Sequence, residues 1–214
     1  MYTYKNISIQ WLGHDWFLID YKDQKICIDP FEVKEDVQVD YIFITHTHHD
    51  HLSIDDITKI MKSTTIIVAP SICEDNLKDL QNKKIFLDQH DNLTVDDFSI
   101  KTIPAYNLNK FRSPWIPYHP KESWFVGFIF DFEGTIIYHA WDTDIIPEME
   151  WLVPDIALLP VSWKYTMTAE EAVQSIELIK PQIAIPMHYD NTIVGTIEDA
   201  KYLQQHASCE VVIL

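Results

Sequence analysis

The chain has 214 residues, 47% of them hydrophobic and 23% charged, which suits one α/β domain with a core that closes without disulfides. Acidic residues outnumber basic ones 33 to 16, giving a formal net charge of −17. A nucleic acid would have to approach against that field, whereas divalent cations would be drawn in.

The first quarter reads as strands. Short apolar runs at Ile7 to Trp11, Trp16 to Asp20 and Lys25 to Ile28 are separated by turn residues. Tyr41 to Thr45 is a continuous apolar run, as a strand covered on both faces would be, and it leads directly into a histidine cluster. Ser53 then has the chemistry of a helix N-cap, with Asp55 and Asp56 in the first turn and Ile54, Ile57 and Met61 at helical spacing. Thr65 to Val68 predicts a strand, Glu74 to Leu80 a helix, and Lys84 to Leu87, Leu93 to Val95 and Phe98 to Ile103 further strands. From Pro104 to Ser123, four prolines interleaved with aromatics predict a long irregular loop of functional kind.

Beyond it, Phe125 to Phe130 and Thr135 to His139 predict a hairpin around Glu133-Gly134. Ile156 to Leu159 predicts a strand. Thr168 to Lys180 predicts a helix, since Thr168 and Glu171 have capping-box spacing and Pro181 stops it. Ile183 to Ile185, Ile197 to Gln205 and Val211 to Ile213 follow as strand, helix and strand. Leading antiparallel strands, then alternating strands and helices, fit two packed sheets with helices outside better than a single doubly wound sheet.

Cys27, Cys73 and Cys209 are scattered and form no C-x-x-C pair, a pattern of a reducing cytoplasm. The N-terminus lacks a signal-peptide core, and no apolar run approaches the ~20 residues that span a bilayer. A cytoplasmic, soluble protein is the expectation, and a homo-oligomer is compatible with it.

Four of the ten histidines lie in Thr45-His46-Thr47-His48-His49-Asp50-His51. Imidazoles with a carboxylate suit zinc, iron and similar ions, and a tight loop after a buried strand can aim several at one point. His46-x-His48-x-Asp50-His51 resembles the H-x-H-x-D-H signature of the metallo-β-lactamase superfamily. Trp11-Leu12-Gly13-His14, Ile28-Asp29-Pro30-Phe31, Ala140-Trp141-Asp142-Thr143-Asp144 and Ile185-Pro186-Met187-His188-Tyr189 resemble other segments of it, in order. The chain is most similar to the branch containing ascorbate-phosphate lactonase and N-acyl phosphatidylethanolamine phospholipase D.

That resemblance implies a four-layer αββα sandwich, formed as a single domain over 1–214. It implies two divalent metal ions, zinc first and manganese or iron next. His46 and His48 would hold one ion with a third histidine. Asp50, His51 and His188 would hold the other, and Asp142 would bridge them. His119, in Tyr118-His119-Pro120-Lys121, is the choice for the third histidine, but the phospholipase relatives place that ligand directly after a Pro-Ala pair. Here Pro104-Ala105 leads to Tyr106-Asn107, which keeps Asn107 open. Asp50 and Asp142 are the carboxylates assigned to catalysis. The implied activity is hydrolysis of a small-molecule ester, lactone or phosphodiester by a hydroxide bridging the metals. A nuclease or a non-catalytic metal-binding protein are the alternatives, with the charge opposing nucleic acid.

Asp29 is expected behind a ligating imidazole, His49 outside the ligand set, and His90 and His206 at the surface. His139 is expected to pack, and His14 stays open. Tyr165 and Tyr189 are candidate proton donors by position. Trp141 stands where the family has glycine before the bridging aspartate, and Ser162-Trp163 where it has Gly-Gly. Both indoles are expected on the rim of the site, narrowing its entrance.

Overall fold

The computed structural model describes residues 1–34, 36–190 and 194–214. Two compact units account for the chain: residues 1–88 with Leu214, and residues 89–213.

The first unit is a seven-stranded sheet in sequence order: β1 (Tyr2–Tyr4), β2 (Ile7–Trp11), β3 (Phe17–Tyr21), β4 (Gln24–Ile28), β5 (Val39–Phe43), β6 (Met61–Ala69) and β7 (Lys84–Phe86). The first four strands form an antiparallel meander, and β4 to β7 are parallel. Helix α1 (Ile54–Ile60) crosses between β5 and β6, and the short α2 (Glu74–Leu77) between β6 and β7. Ser53 caps α1 as its spacing predicts, accepting from the Asp56 amide. Ile57 and Ile60 of α1 and Leu77 of α2 share one buried cluster with Ile42, Ile67 and Ala69 of the sheet. Burying each of these isoleucine and leucine side chains contributes roughly 1.5–3 kcal/mol.

The second unit repeats that plan. Its strands are β8 (Asn92–Val95), β9 (Phe98–Pro104), β10 (Phe111–Ser113), β11 (Ile116–Pro117), β12 (Val126–Phe132), β13 (Thr135–His139), β14 (Ile156–Pro160), β15 (Ile183–Met187) and β16 (Glu210–Val211). The seven-stranded sheet runs β16-β15-β14-β13-β12-β9-β8, antiparallel from β8 to β13 and parallel from β13 to β16. Helix α3 (Ala169–Ile179) starts at the predicted capping box of Thr168 and Glu171. Helix α4 (Ile197–His206) starts at a second one, Thr196 with Asp199.

Several expectations need correction. The stretch from Pro104 to Ser123 is not wholly irregular, because β10 and β11 pair within it and a 3-10 turn spans Lys121–Ser123. β1 and the 3-10 turn Pro147–Trp151 have no counterpart among the expected elements. The helix expected over Glu74 to Leu80 ends at Leu77.

What the two sheets position is common to both. In parallel strands, loops leave from the carboxyl ends, and ligand-binding residues collect there. Asp29 follows β4 directly, and Thr45 and His46 follow β5; Asp142 follows β13, Ser162 and Trp163 follow β14, and His188 follows β15 directly.

Candidate metal centre

In the first unit the histidine loop is organised by one buried carboxylate. Asp29 Oδ1 accepts from the Thr45 amide at 2.9 Å, and Oδ2 accepts from Thr45 Oγ1 at 2.5 Å and His51 Nδ1 at 2.9 Å. Thr45 Oγ1, its own proton given to Asp29, accepts from His46 Nδ1 at 3.1 Å. His46 and His51 therefore both commit Nδ1 to oxygen acceptors, and the nitrogen each offers to an ion is Nε2. The rings of His46 and His48 lie 4.5 Å apart and those of His46 and His51 4.2 Å apart, so the loop gathers three imidazoles. His46 and His51 are buried, while His48 and His49 are exposed.

Asp50 closes this group. Its Oδ2 lies 3.2 Å from His14 Nε2 and 3.9 Å from His51 Nε2. Burial alone would raise the Asp50 carboxyl. The neighbouring imidazoles of His51 and His14 outweigh it and hold the group well below the usual carboxylate range.

In the second unit, Asp142 stands between two imidazoles. Its Oδ2 is 3.6 Å from His119 Nε2 and its Oδ1 is 3.6 Å from His188 Nε2. These separations are too long for hydrogen bonds. They match the spacing of neighbouring donors around one ion, about 3.4 Å for tetrahedral bonds near 2.1 Å. Each ring is held from behind. Asn107 Oδ1 accepts from His119 Nδ1 at 2.9 Å and from the His119 amide at 2.9 Å, while Asn107 Nδ2 donates to the Tyr165 carbonyl at 2.8 Å. His188 Nδ1 donates to the Val194 carbonyl at 3.1 Å. Gly195 makes that turn possible, since a Cβ there would lie 2.1 Å from the His188 carbonyl oxygen and its φ is +94°.

The donor set fits divalent metal ions. Four of the buried imidazoles, His46 and His51 in the first unit and His119 and His188 in the second, have Nδ1 anchored to oxygen, which leaves Nε2 for an ion. The backbone is strained at the same places. Asp29 (φ 44°), Trp141 (63°), Trp163 (51°) and His188 (61°) all adopt the left-handed conformation within three residues of a strand end. Such conformations cost about 1–3 kcal/mol each and persist where a site requires them.

The structure brings His119, not Asn107, up to Asp142; Asn107 stands one position further back and orients His119. Asp29 lies behind His51 as expected, His139 is buried, and His90 and His206 are exposed. Tyr189 is buried, and the ring of half-buried Tyr165 meets Tyr118 edge-on at 4.7 Å. The expectation for the tryptophans needs correction in one half. Trp141 is fully buried, its indole edge-on to His119 at 5.0 Å and to Phe125 at 5.4 Å, so it supports a histidine instead of narrowing an entrance. Trp163 is 54% exposed.

Sequence reasoning missed Asp144, which fixes the start of the 104–123 stretch. Its Oδ2 accepts from the amides of Leu108 and Asn109 at 2.6 and 2.8 Å, and buried Lys110 lies 3.3 Å from its Oδ1. Its adjacency to Asp142 in the Trp141-Asp142-Thr143-Asp144 run was the available signal.

The comparisons with known proteins agree with this chemistry. A family model described as a beta-lactamase superfamily domain matches residues 8–188. A "UPF0173 metal-dependent hydrolase" of Archaeoglobus fulgidus is 32% identical over 207 residues, covering 86% of this chain and 84% of that protein. One of Thermoplasma acidophilum is 33% identical over 199 residues, covering 87% and 84%. A crystal structure of a Parabacteroides distasonis protein, 32% identical, superposes with a TM-score of 0.83 over 97% of this chain and 92% of that one. The chain therefore belongs to the metallo-β-lactamase superfamily and, within it, to the UPF0173 metal-dependent hydrolase family. Its mixed α/β fold of two large sheets and few helices is that of the superfamily.

Proposed function

We propose that the chain hydrolyses a small-molecule ester, lactone or phosphodiester with two divalent metal ions, zinc first and manganese or iron next. His46, His48 and His119 hold one ion; Asp50, His51 and His188 hold the other; Asp142 reaches both. On this reading residues 1–214 form a single catalytic domain. The observation that carries it is Asp142, whose two oxygens face different imidazoles at equal distance. A carboxylate so placed has one oxygen for each of two cations.

When bound, such a pair of ions supplies Lewis acidity toward a carbonyl or phosphoryl oxygen and acidifies the attacking water. The chain's own contribution is orientation. Asp29 fixes the ring of His51, Asn107 that of His119, and the Val194 carbonyl that of His188. Asp142 ties the His119 and His188 positions to one spacing. The order of the motifs, similar to the lactonase and phospholipase D branch, supports the lactone and phosphodiester classes. The charge of −17 argues against a nucleic-acid substrate. Three free cysteines, two of them buried, support a reducing cytoplasm, and no described helix is long and apolar enough to cross a membrane.

Metal analysis of the purified protein, followed by a panel of nitrophenyl phosphodiesters, phosphomonoesters and lactones with and without chelator, tests this directly. The expected result is two transition-metal ions per chain and chelator-sensitive hydrolysis of at least one class. A fully metal-loaded protein that leaves the whole panel intact would overturn the substrate assignment. A protein that binds no transition metal would overturn the reading altogether.

A further inference from the structure

His14 precedes the histidine cluster by more than thirty residues, and the motif assignment leaves it without a task. The structure gives it one. Gly13 (φ 115°) and His14 (φ 49°) are consecutive residues with positive φ, a pairing that costs energy at His14. The turn is locked by hydrogen bonds from the Leu12 amide to the Trp16 carbonyl and from the Trp16 amide to the Gly13 carbonyl, both 2.9 Å. Trp11 Nε1 donates to the His14 carbonyl at 2.7 Å. The backbone is thus held in a strained shape that carries the imidazole inward, where it is 1% exposed.

There the ring lies 5.0 Å from that of His51 and 5.7 Å from that of Phe31. Its Nε2 is 3.2 Å from Asp50 Oδ2, and the donor atoms of His14, Asp50 and His51 all lie within 4.8 Å of one another. Three donors at such separations can surround a single cation with bonds of about 2.0–2.4 Å. A core histidine satisfied by packing has no need of a left-handed backbone, nor of two further ligand-type side chains at its Nε2.

We propose that His14 is a further protein donor, through Nε2, to the ion that the reading above gives to Asp50, His51 and His188. This rests on the metal-centre reading above and adds a ligand to it. It also makes the first unit able to bind one ion with its own residues.

The test uses the full-length protein loaded with cobalt(II), read by chelator competition and by the hyperfine-shifted imidazole N–H resonances in the proton spectrum. In His14→Ala, one of the two ions should bind at least about 100-fold more weakly, a larger loss than the 10–100-fold typical of groups behind a ligand. At cobalt concentrations that refill the weakened site, one shifted imidazole resonance should be missing. His14→Gln, which keeps a side-chain N–H donor but no imidazole, should behave like His14→Ala. Retention of every shifted resonance in His14→Ala, or parent affinity in His14→Gln, would show that His14 only hydrogen-bonds Asp50 and would overturn the proposal. A parent protein that takes up no cobalt would sink the metal-centre reading instead, so the two failures are distinguishable.

Discussion

Asp29 holds the Nδ1 edge of His51 at 2.9 Å, with both side chains buried beyond the reach of water. The same carboxylate binds the amide and hydroxyl of Thr45, so a single residue at the end of β4 sets the loop that begins after β5. Asp29→Asn isolates the role of the charge, because asparagine tolerates the left-handed backbone seen at this position (φ 44°). Removing the charge lowers the basicity of His51 and loosens its orientation. Metal affinity should fall roughly 10–100-fold, measured by chelator competition. An unchanged dissociation constant for both ions would remove Asp29 from the metal centre.

Asp142 is expected to behave differently from every other ligand. On the proposed ligand set, replacing His48 or His188 would remove one donor from one ion, whereas Asp142→Ala would remove a donor from both. Metal content measured per chain should drop for both ions together in Asp142→Ala. Full occupancy of both in that variant eliminates the bridging role, whatever happens to activity.

His119 and Asn107 separate by the size of their effects. His119 offers Nε2 toward Asp142, while Asn107 only orients that ring and pins its amide. Asn107→Ala should therefore weaken one ion about 10–100-fold. His119→Ala should weaken the same ion further. If Asn107→Ala proves the more damaging of the two while His119→Ala leaves metal content intact, Asn107 is the ligand.

These relationships mark what a sequence can disclose. The cluster from His46 to His51 is legible because its members are close in the chain and share one loop. The helix starts at Ser53 and Thr168 are legible because capping chemistry is local. The pairing of Asn107 with His119 spans twelve residues, and the hairpin of β10 and β11 between them is obscured by Pro114 and Pro117. The place of His14 depends on a strained turn that brings its ring to Asp50 and His51, more than thirty residues further along the chain, and the residues alone do not announce it. The place of Trp141 is hidden for a related reason. The absence of glycine suggested a blocked rim, but the indole turns into the core while the backbone still adopts the left-handed shape.

An acid-sensitive link ties the 104–123 stretch to α3. Buried Lys110 bonds Glu171 Oε2 at 2.6 Å, and Glu171 also accepts from the Thr168 amide and from Asn109. Burial opposes ionisation of Glu171, but Lys110 and the other donors prevail and lower its pKa. A depressed carboxylate contributes stability that is present above its unfolded value, about 4.3, and is lost as pH falls through the folded value. Lys110→Met should therefore cost about 1 kcal/mol at pH 7, because it leaves half-buried Glu171 and buried Asp144 without their cation and solvent screens part of the loss at Glu171. That difference should shrink as the pH falls below the carboxylate range. Urea unfolding of the metal-free protein at neutral and acid pH checks both parts, and a cost that is constant with pH contradicts the assignment.

The two tryptophans expected on the rim of the site, Trp141 and Trp163, should part company. Trp141 packs its whole indole beneath His119 and Phe125. Trp141→Gly empties that volume, which for a buried tryptophan costs about 3–5 kcal/mol. Glycine suits φ 63° and returns part of this, about 1 kcal/mol or more. The net effect should be lower stability and weaker metal binding at His119, with no gain of new substrates. Trp163 is half exposed, follows the carboxyl end of β14, and sits two residues before Tyr165, whose carbonyl holds Asn107. Its backbone is also left-handed, so Trp163→Gly relieves strain and removes only an indole facing solvent. On the proposed function that indole limits the size of the group beside the scissile bond. Trp163→Gly should keep its metal content and stability while accepting bulkier esters, read as relative kcat/KM across an ester series of increasing size. A parent-like profile for Trp163→Gly, or a broadened one for Trp141→Gly, would reverse these assignments, because each would give the role of substrate limit to the wrong ring.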